Sequence, residues 1–228
     1  MIDNKSIHIA FILDGNNRWS IKNKTTKIQA YKKGFDKIKE IIDYSLSSNI
    51  SEITLFTLSS ENYHRTSVEL IYKIIYDNFS TLINKLIKKN NVDLYIFGRR
   101  ENLPSKIIQI FNNVDKIKNK DCKLKVNLAF NYGFKNEIKD VLLKYSKNTD
   151  SININNEKDL RKLFSLKSST DPDILVRTGG YKRLSNFIMY NLTYTELFFT
   201  KTLWPDFSID ELVSIIEEYD KIDRKYGL

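Results

Sequence analysis

The chain has 228 residues, a single cysteine (Cys122), 41% hydrophobic and 12% aromatic residues, and a formal net charge of +9. That length and apolar content suit one packed α/β domain spanning residues 1–228, and they exclude an intrachain disulfide or a multi-cysteine metal site. No apolar run approaches a bilayer span, and the opening MIDNKSI lacks the basic-then-apolar pattern of a secretory leader, so a soluble cytoplasmic protein is expected. The lysines are scattered among Asn and Ile as on a solvated surface, and no nucleic-acid-binding module is recognisable.

The first element is the apolar run His8–Leu13, short enough for a buried strand. It breaks at once into Asp14-Gly15-Asn16-Asn17-Arg18-Trp19. Two readings stay open on these residues. One is ordinary turn chemistry between a strand and a helix. The other is a site: Asp14 can hold a hard cation such as Mg2+ through oxygen, Gly15 lets the backbone approach a ligand, and Arg18 can grip a phosphate in bidentate fashion. Helical periodicity follows from about Ile28 to Ser47, with Phe35, Ile38, Ile41, Ile42 and Ser45 on one face. A second strand, Glu52–Leu58, ends in Ser59-Ser60-Glu61-Asn62-Tyr63-His64-Arg65. Thr66 or Ser67 can cap a long helix, Val68–Leu86, with a wide apolar face. Then come a third strand (Val92–Phe97), a helix around Pro104–Ile117, a fourth strand (Lys123–Phe130) ending in Asn131-Tyr132-Gly133, and a helix from about Lys135 to Tyr145. The polar connection Ser146–Glu157 leads to a short helix (Glu157–Phe164) and a fifth strand, Asp173–Arg177. That strand runs into Thr178-Gly179-Gly180-Tyr181-Lys182-Arg183-Leu184-Ser185, a paired glycine with arginines on both sides. A sixth strand, Tyr194–Thr200, carries Glu196, and a last amphipathic helix spans about Ile209–Tyr219.

Strands alternating with helices predict a mostly parallel sheet flanked by helices. In such a sheet the strand ends share one edge, where ligands bind. Three ends carry like cargo: Asp14 with Arg18; Ser59, Asn62 and Arg65; Arg177, Arg183 and Ser185. Four arginines, a carboxylate and hydroxyls suit phosphorylated groups beside a cation. The glycines match neither a P-loop nor a dinucleotide fingerprint, and the two histidines, His8 and His64, read as structural, so a Ser-His-Asp hydrolase is unsupported.

The segments HIAFILDGNNRWS, TLFTLSSENYHRT, LAFNYGFKNEI, DILVRTGGYKRLSNF, YTELFF and LWPDF occur in this order. Together they resemble the cis-prenyltransferase family, the undecaprenyl diphosphate synthases and their relatives, over roughly Ser6 to Gly227. The resemblance implies a homodimer, each subunit with a twisted six-stranded parallel sheet and an apolar tunnel between that sheet and two helices. It implies Mg2+-dependent condensation of isopentenyl diphosphate onto an allylic diphosphate, with farnesyl diphosphate as primer and a long undecaprenyl-type product, and peripheral membrane contact through that product. It implies roles by position. Asp14 is the catalytic aspartate that works with Mg2+, and Glu196 is a second metal-linked carboxylate. Gly15, Asn16, Asn17, Arg18, Trp19, Lys27 and Tyr31 form the allylic-diphosphate cradle. Arg177, Arg183 and Ser185 clamp the isopentenyl diphosphate. Ser59, Asn62 and Arg65 lie between the substrates, where a proton leaves, and Tyr63 is an aromatic neighbour.

Several positions depart from the family pattern. Tyr31 stands where a histidine is usual, Lys27 for an arginine, Tyr181 for the glutamate of RTGGE, and Tyr190-Asn191 for Trp-Gln. Ile222 replaces a common arginine, and Thr57 and Leu58 replace Ala and Phe near the tunnel mouth. These changes touch metal use, rate and substrate choice. Three other readings are kept: a short-chain or irregular prenyl diphosphate synthase of the same fold, a non-catalytic accessory subunit, and a basic nucleic-acid-binding domain.

Overall fold

Strand one keeps its apolar character to the last residue, and every side chain of Ile7–Ile12 is buried. This β1 can be buried on both faces only at the middle of a covered sheet, and that is its place. The computed structural model describes residues 6–61, 91–117, 119, 122–147 and 154–223. Its strands are β1 (Ile7–Ile12), β2 (Ile50–Ser59), β3 (Val92–Phe97), β4 (Leu124–Tyr132), β5 (Ile174–Arg177) and β6 (Glu196–Phe199). They form one sheet in the order β3-β4-β2-β1-β5-β6, and all five pairings are parallel. The sheet is thus entirely parallel, one step beyond the mostly parallel expectation.

The helices are α1 (Asn16–Lys22), α2 (Lys27–Ser47), α3 (Ser105–Asp115), α4 (Phe134–Lys147), α5 (Glu157–Arg161) and α6 (Ile209–Tyr219). Because side chains alternate along a strand, the sheet has two distinct faces. Ile9, Phe11, Ile53, Leu55, Val126 and Leu128 point to one face, where Ile38, Ile41 and Ile42 of α2 pack. Ile107 and Phe111 of α3 and Leu212 and Ile215 of α6 join the same cluster. The opposite face carries Ala10, Ile12, Phe56, Ala129 and Leu175 under Leu166, Phe187 and Ile188. Each fully buried large apolar side chain contributes about 1.5–3 kcal/mol relative to exposure, so the central strands β1 and β2 anchor the molecule.

The helix expected over Val68–Leu86 lies outside the described residues, as do Asn62, Tyr63 and Arg65. The tunnel wall expected of such a helix is likewise outside the described residues. The helix expected to reach Phe164 ends at Arg161, and α1 is a short helix for which the sequence gives no separate signal. No helix among the described residues is long and apolar enough to cross a membrane.

Candidate active site

The register fixes the site's level in the sheet. Ile12 of β1 pairs with Arg177, the last residue of β5, and Arg177 pairs with Phe199 at the end of β6. Asp14 therefore emerges beside Arg177 at the carboxyl edge. Gly15 turns the chain there with φ of 119°, in the left-handed region. Asp14 itself is held through its backbone: its N–H donates to the Thr178 hydroxyl at 3.0 Å, and that hydroxyl donates to the Asp14 carbonyl at 2.8 Å. The Trp204 N–H donates to the same carbonyl at 3.0 Å.

Both carboxylate oxygens of Asp14 accept from guanidiniums. Arg18 Nη2 donates to Oδ1 at 3.0 Å, one helical turn away, and Arg177 Nη2 donates to Oδ2 at 2.9 Å. The Arg177 side chain is 2% exposed, whereas Asp14 keeps 28% and Arg18 38%. A buried guanidinium needs a partner charge and its hydrogen bonds. Asp14 supplies the charge, and Nη1 donates to Ser185 Oγ at 2.8 Å and to the Arg183 carbonyl. Arg177 Nε is buried without a hydrogen-bond partner among the described residues. Arg18 Nη1 reaches across to the Gly179 carbonyl. Gly179 has φ of 84°, and a Cβ there would stand 2.5 Å from Arg18 Nη2 and 3.0 Å from the Asp14 carbonyl oxygen. A side chain at this position would strain the backbone and displace the Arg18 guanidinium.

The sequence reading placed Asp14, Arg18, Arg177 and Ser185 together, and the structure brings those four into direct contact. It also gives Tyr181, expected only as a departure from the family's glutamate, a set of contacts, and adds Asn186. The Tyr181 ring lies beneath three guanidiniums, with Arg183 at 4.2 Å, Arg18 at 4.6 Å and Arg177 at 5.9 Å from its centroid. Asn186, at φ of 63°, ties the loop to its neighbours. Its Oδ1 accepts from the Lys135 N–H at 2.9 Å, and its Nδ2 donates to Glu61 Oε1 at 3.2 Å. Asn186 follows another left-handed residue, Ser185; its tolerance of that conformation was the available signal.

Other expected residues sit elsewhere. Ser59, the last residue of β2, accepts from the Glu61 N–H at 3.1 Å and pairs in register with Tyr132. The Tyr132 hydroxyl donates to Glu137 at 2.6 Å; burial first, and then that carboxylate, push its pKa up, so it stays a donor. Asn16 donates to the Leu13 carbonyl at 3.3 Å, and Asn17 is exposed on α1. Trp19 is committed to packing: its indole N–H donates to Asp206 at 2.7 Å, and Lys33 stands over its ring at 4.6 Å. Lys27 is exposed at the first residue of α2, and Tyr31, one turn on, is half-buried against the core. Glu196 is the first residue of β6 and pairs with Ile174, the first of β5. Three strand residues, about 10 Å, separate that level from the Ile12–Arg177–Phe199 level, and Asp14 follows two residues past Ile12, so the register places Glu196 at the opposite end of β6 from the Asp14 edge.

A lone carboxylate among guanidiniums at the carboxyl edge of a parallel sheet defines an anion-handling α/β site. Comparison with known proteins gives it a family. The family profile described as undecaprenyl diphosphate synthase matches residues 12–227. An isoprenyl transferase of Aquifex pyrophilus is 34% identical over 226 residues, covering 96% of this chain and 95% of that protein. A tritrans,polycis-undecaprenyl-diphosphate synthase (geranylgeranyl-diphosphate specific) of Pyrobaculum aerophilum is also 34% identical over 226 residues, with 96% and 95% covered. The crystal structure of a probable undecaprenyl diphosphate synthase from Campylobacter jejuni superposes with a TM-score of 0.79 at 28% identity, covering 98% of this chain and 99% of that one. A lavandulyl diphosphate synthase from Lavandula x intermedia shares the fold, with a TM-score of 0.89 at 23% identity and 97% and 98% covered. The chain belongs to the cis-prenyltransferase family, whose members transfer prenyl groups.

Proposed function

We propose that this enzyme condenses isopentenyl diphosphate onto an allylic diphosphate, with farnesyl diphosphate as primer, to give a long-chain cis-polyprenyl diphosphate. One observation carries the reading. Asp14 joins Arg18 of one predicted diphosphate cradle to Arg177 of the other, at 3.0 and 2.9 Å. Two anionic groups whose chemistry must be coupled would meet at that carboxylate.

Mg2+ is the implied cofactor. Among the described residues no group of three or more His, Cys, Asp or Glu side chains gathers to cage a metal. Mg2+ does not ask for one: it is commonly held by one or two carboxylates, several waters and substrate phosphate oxygens. Asp14, still partly exposed, fits as that single carboxylate. When bound, the ion supplies positive charge to the departing diphosphate. The chain's own part is electrostatic. Arg18, Arg177 and Arg183 are oriented beforehand by protein contacts, so they stabilise charge growing on the leaving group without reorganising. An apolar tunnel next to the edge would exclude the water that traps an allylic cation.

Ser59, with Asn62 and Arg65, would lie between the two substrates, where the proton leaves. Glu196 would serve a metal only by a route other than its own chain's Asp14 level. The exposed apolar residues Ile138, Leu142 and Tyr145, spaced along α4, support a dimer, since a second copy could cover them. The lipid product would bring the enzyme to a membrane surface.

The test is turnover by the purified protein with labelled isopentenyl diphosphate and Mg2+, using geranyl, farnesyl and geranylgeranyl diphosphates as primers and reading products by mass. The expected result is a ladder ending near eleven isoprene units from farnesyl diphosphate, reduced by at least about 10²-fold in Asp14→Ala. A short product would replace the long-chain reading with the short-chain one. A folded protein with no product would sink the catalytic reading.

A further inference from the structure

Tyr181 is placed unlike any other aromatic residue described in the molecule. The residue is 43% exposed and belongs to neither hydrophobic cluster, and its ring has three guanidiniums within 6 Å of its centroid. Two of them, Arg183 at 4.2 Å and Arg18 at 4.6 Å, are close enough for a strong cation–π attraction. Arg183 makes no ion pair among the described residues, so the ring is what its guanidinium rests on. The loop geometry serves this arrangement. Gly179 and Gly180, both at positive φ, are stapled by N–H donations to the Thr202 and Thr200 carbonyls at 2.7 Å each, and Tyr181 follows directly.

The chemistry of the ring matters as much as its place. A carboxylate at this position would also attract the arginines, but it would cancel one of their charges and compete with any incoming anion. An aromatic face attracts cations through its quadrupole and carries no net charge. The cluster therefore holds three guanidiniums against the single carboxylate of Asp14. Its excess positive charge is set in place before a ligand arrives, beside the orphaned, buried Arg177 Nε.

We infer that Tyr181 is a positioning residue that gathers Arg18 and Arg183 beside Asp14 and Arg177 without adding a second negative charge, so that this edge of the sheet binds a diphosphate group without needing a divalent cation. The inference rests on the diphosphate reading of the site and deepens it. The ring spans both predicted cradles, because Arg18 belongs to one and Arg183 to the other.

The experiment is calorimetric titration of the full chain with inorganic pyrophosphate, in EDTA and in Mg2+, for the unaltered protein, Tyr181→Phe, Tyr181→Ala and Tyr181→Glu. The unaltered protein should bind in EDTA. Tyr181→Phe, which keeps the ring, should stay within about threefold of it, and Tyr181→Ala should bind about tenfold more weakly. Tyr181→Glu should bind weakest in EDTA. The thermal midpoints of the free proteins should agree within about 2 °C, because the ring lies outside the core. Equal affinity in Tyr181→Ala, or equal weakness in Tyr181→Phe and Tyr181→Ala, overturns the role given to the ring. Binding by the unaltered protein only in Mg2+ overturns the cation-free part and leaves the diphosphate reading standing. No pyrophosphate binding under either condition sinks both.

Discussion

Arg177 is where a single residue decides most. Its side chain is 2% exposed, and its two terminal nitrogens divide their work between Asp14 on one side and Ser185 with the Arg183 carbonyl on the other. That division needs a planar fork. A lysine at 177 would keep the charge but concentrate its donors on one atom, and it could not reach all three partners. Arg177→Lys should lower kcat/KM by about 10²-fold and stability to urea by about 1–3 kcal/mol, measured by steady-state kinetics and equilibrium unfolding. Ser185→Ala, which removes one contact of the fork, should cost less on both counts. If Arg177→Lys left both quantities unchanged, the cluster would not depend on the guanidinium's shape.

At the scale of elements, α2 shows what was legible and what was not. Its buried face was readable from spacing: Ile38, Ile41, Ile42 and Ser45 are buried as the periodicity required. Apolar spacing places its start near Ile28, one residue late, because that spacing carries no signal from the Thr26-x-x-Gln29 pair. In the structure Thr26 Oγ1 accepts from the Gln29 N–H, and the Gln29 side chain accepts from the Thr26 N–H, each at 3.2 Å. Thr26→Ala should therefore cost about 1 kcal/mol, a fall of roughly 2–4 °C in thermal midpoint, with little change in KM. An unchanged midpoint would show that packing alone sets this terminus. α1 escaped notice for a different reason: NNRWSIK is short and polar with no apolar stripe, and the structure buries only Ser20 among its residues. The strands were legible because central parallel strands read as apolar runs, and the site's charged members because they fall directly after such runs. The contacts of Tyr181 and the role of Asn186 are not legible in the sequence because they depend on neighbours that only folding supplies: three guanidiniums for one, Lys135 and Glu61 for the other.

For the whole molecule, a buried polar network joins four parts of the chain on the sheet face away from α2. His8 of β1 contacts the Thr170 carbonyl through Nδ1 and the Thr54 hydroxyl of β2 through Nε2, both at 2.8 Å. Asn127 of β4 donates to Thr54 at 3.0 Å and to Glu52 at 2.6 Å, and Glu52 accepts from the Thr170 N–H and hydroxyl. A neutral imidazole satisfies this arrangement, donating from Nδ1 and accepting at Nε2. Burial lowers the His8 pKa first and most, with Lys125 acting in the same direction; Glu52, the Thr170 carbonyl and Asp173 pull it back only in part. The folded state thus keeps His8 neutral at a pH where the unfolded chain, with a histidine pKa of about 6.5, takes up a proton. Proton uptake by the unfolded chain alone makes stability fall as pH falls. The loss should begin as pH drops through about 6.5, approach about 1.4 kcal/mol per pH unit at most, and level off below the folded-state value. Urea unfolding between about pH 8 and pH 5 should show this slope in the unaltered protein. His8→Gln should be less stable at pH 8 by about 1–2 kcal/mol yet show a shallower slope below pH 6.5, so the two curves converge as acid is added. Parallel curves would mean that His8 takes up its proton equally in the folded and unfolded chains, and curves that diverge as acid is added would mean that β1, β2 and β4 are held by an ion pair of protonated His8 with Glu52 instead of by a neutral network.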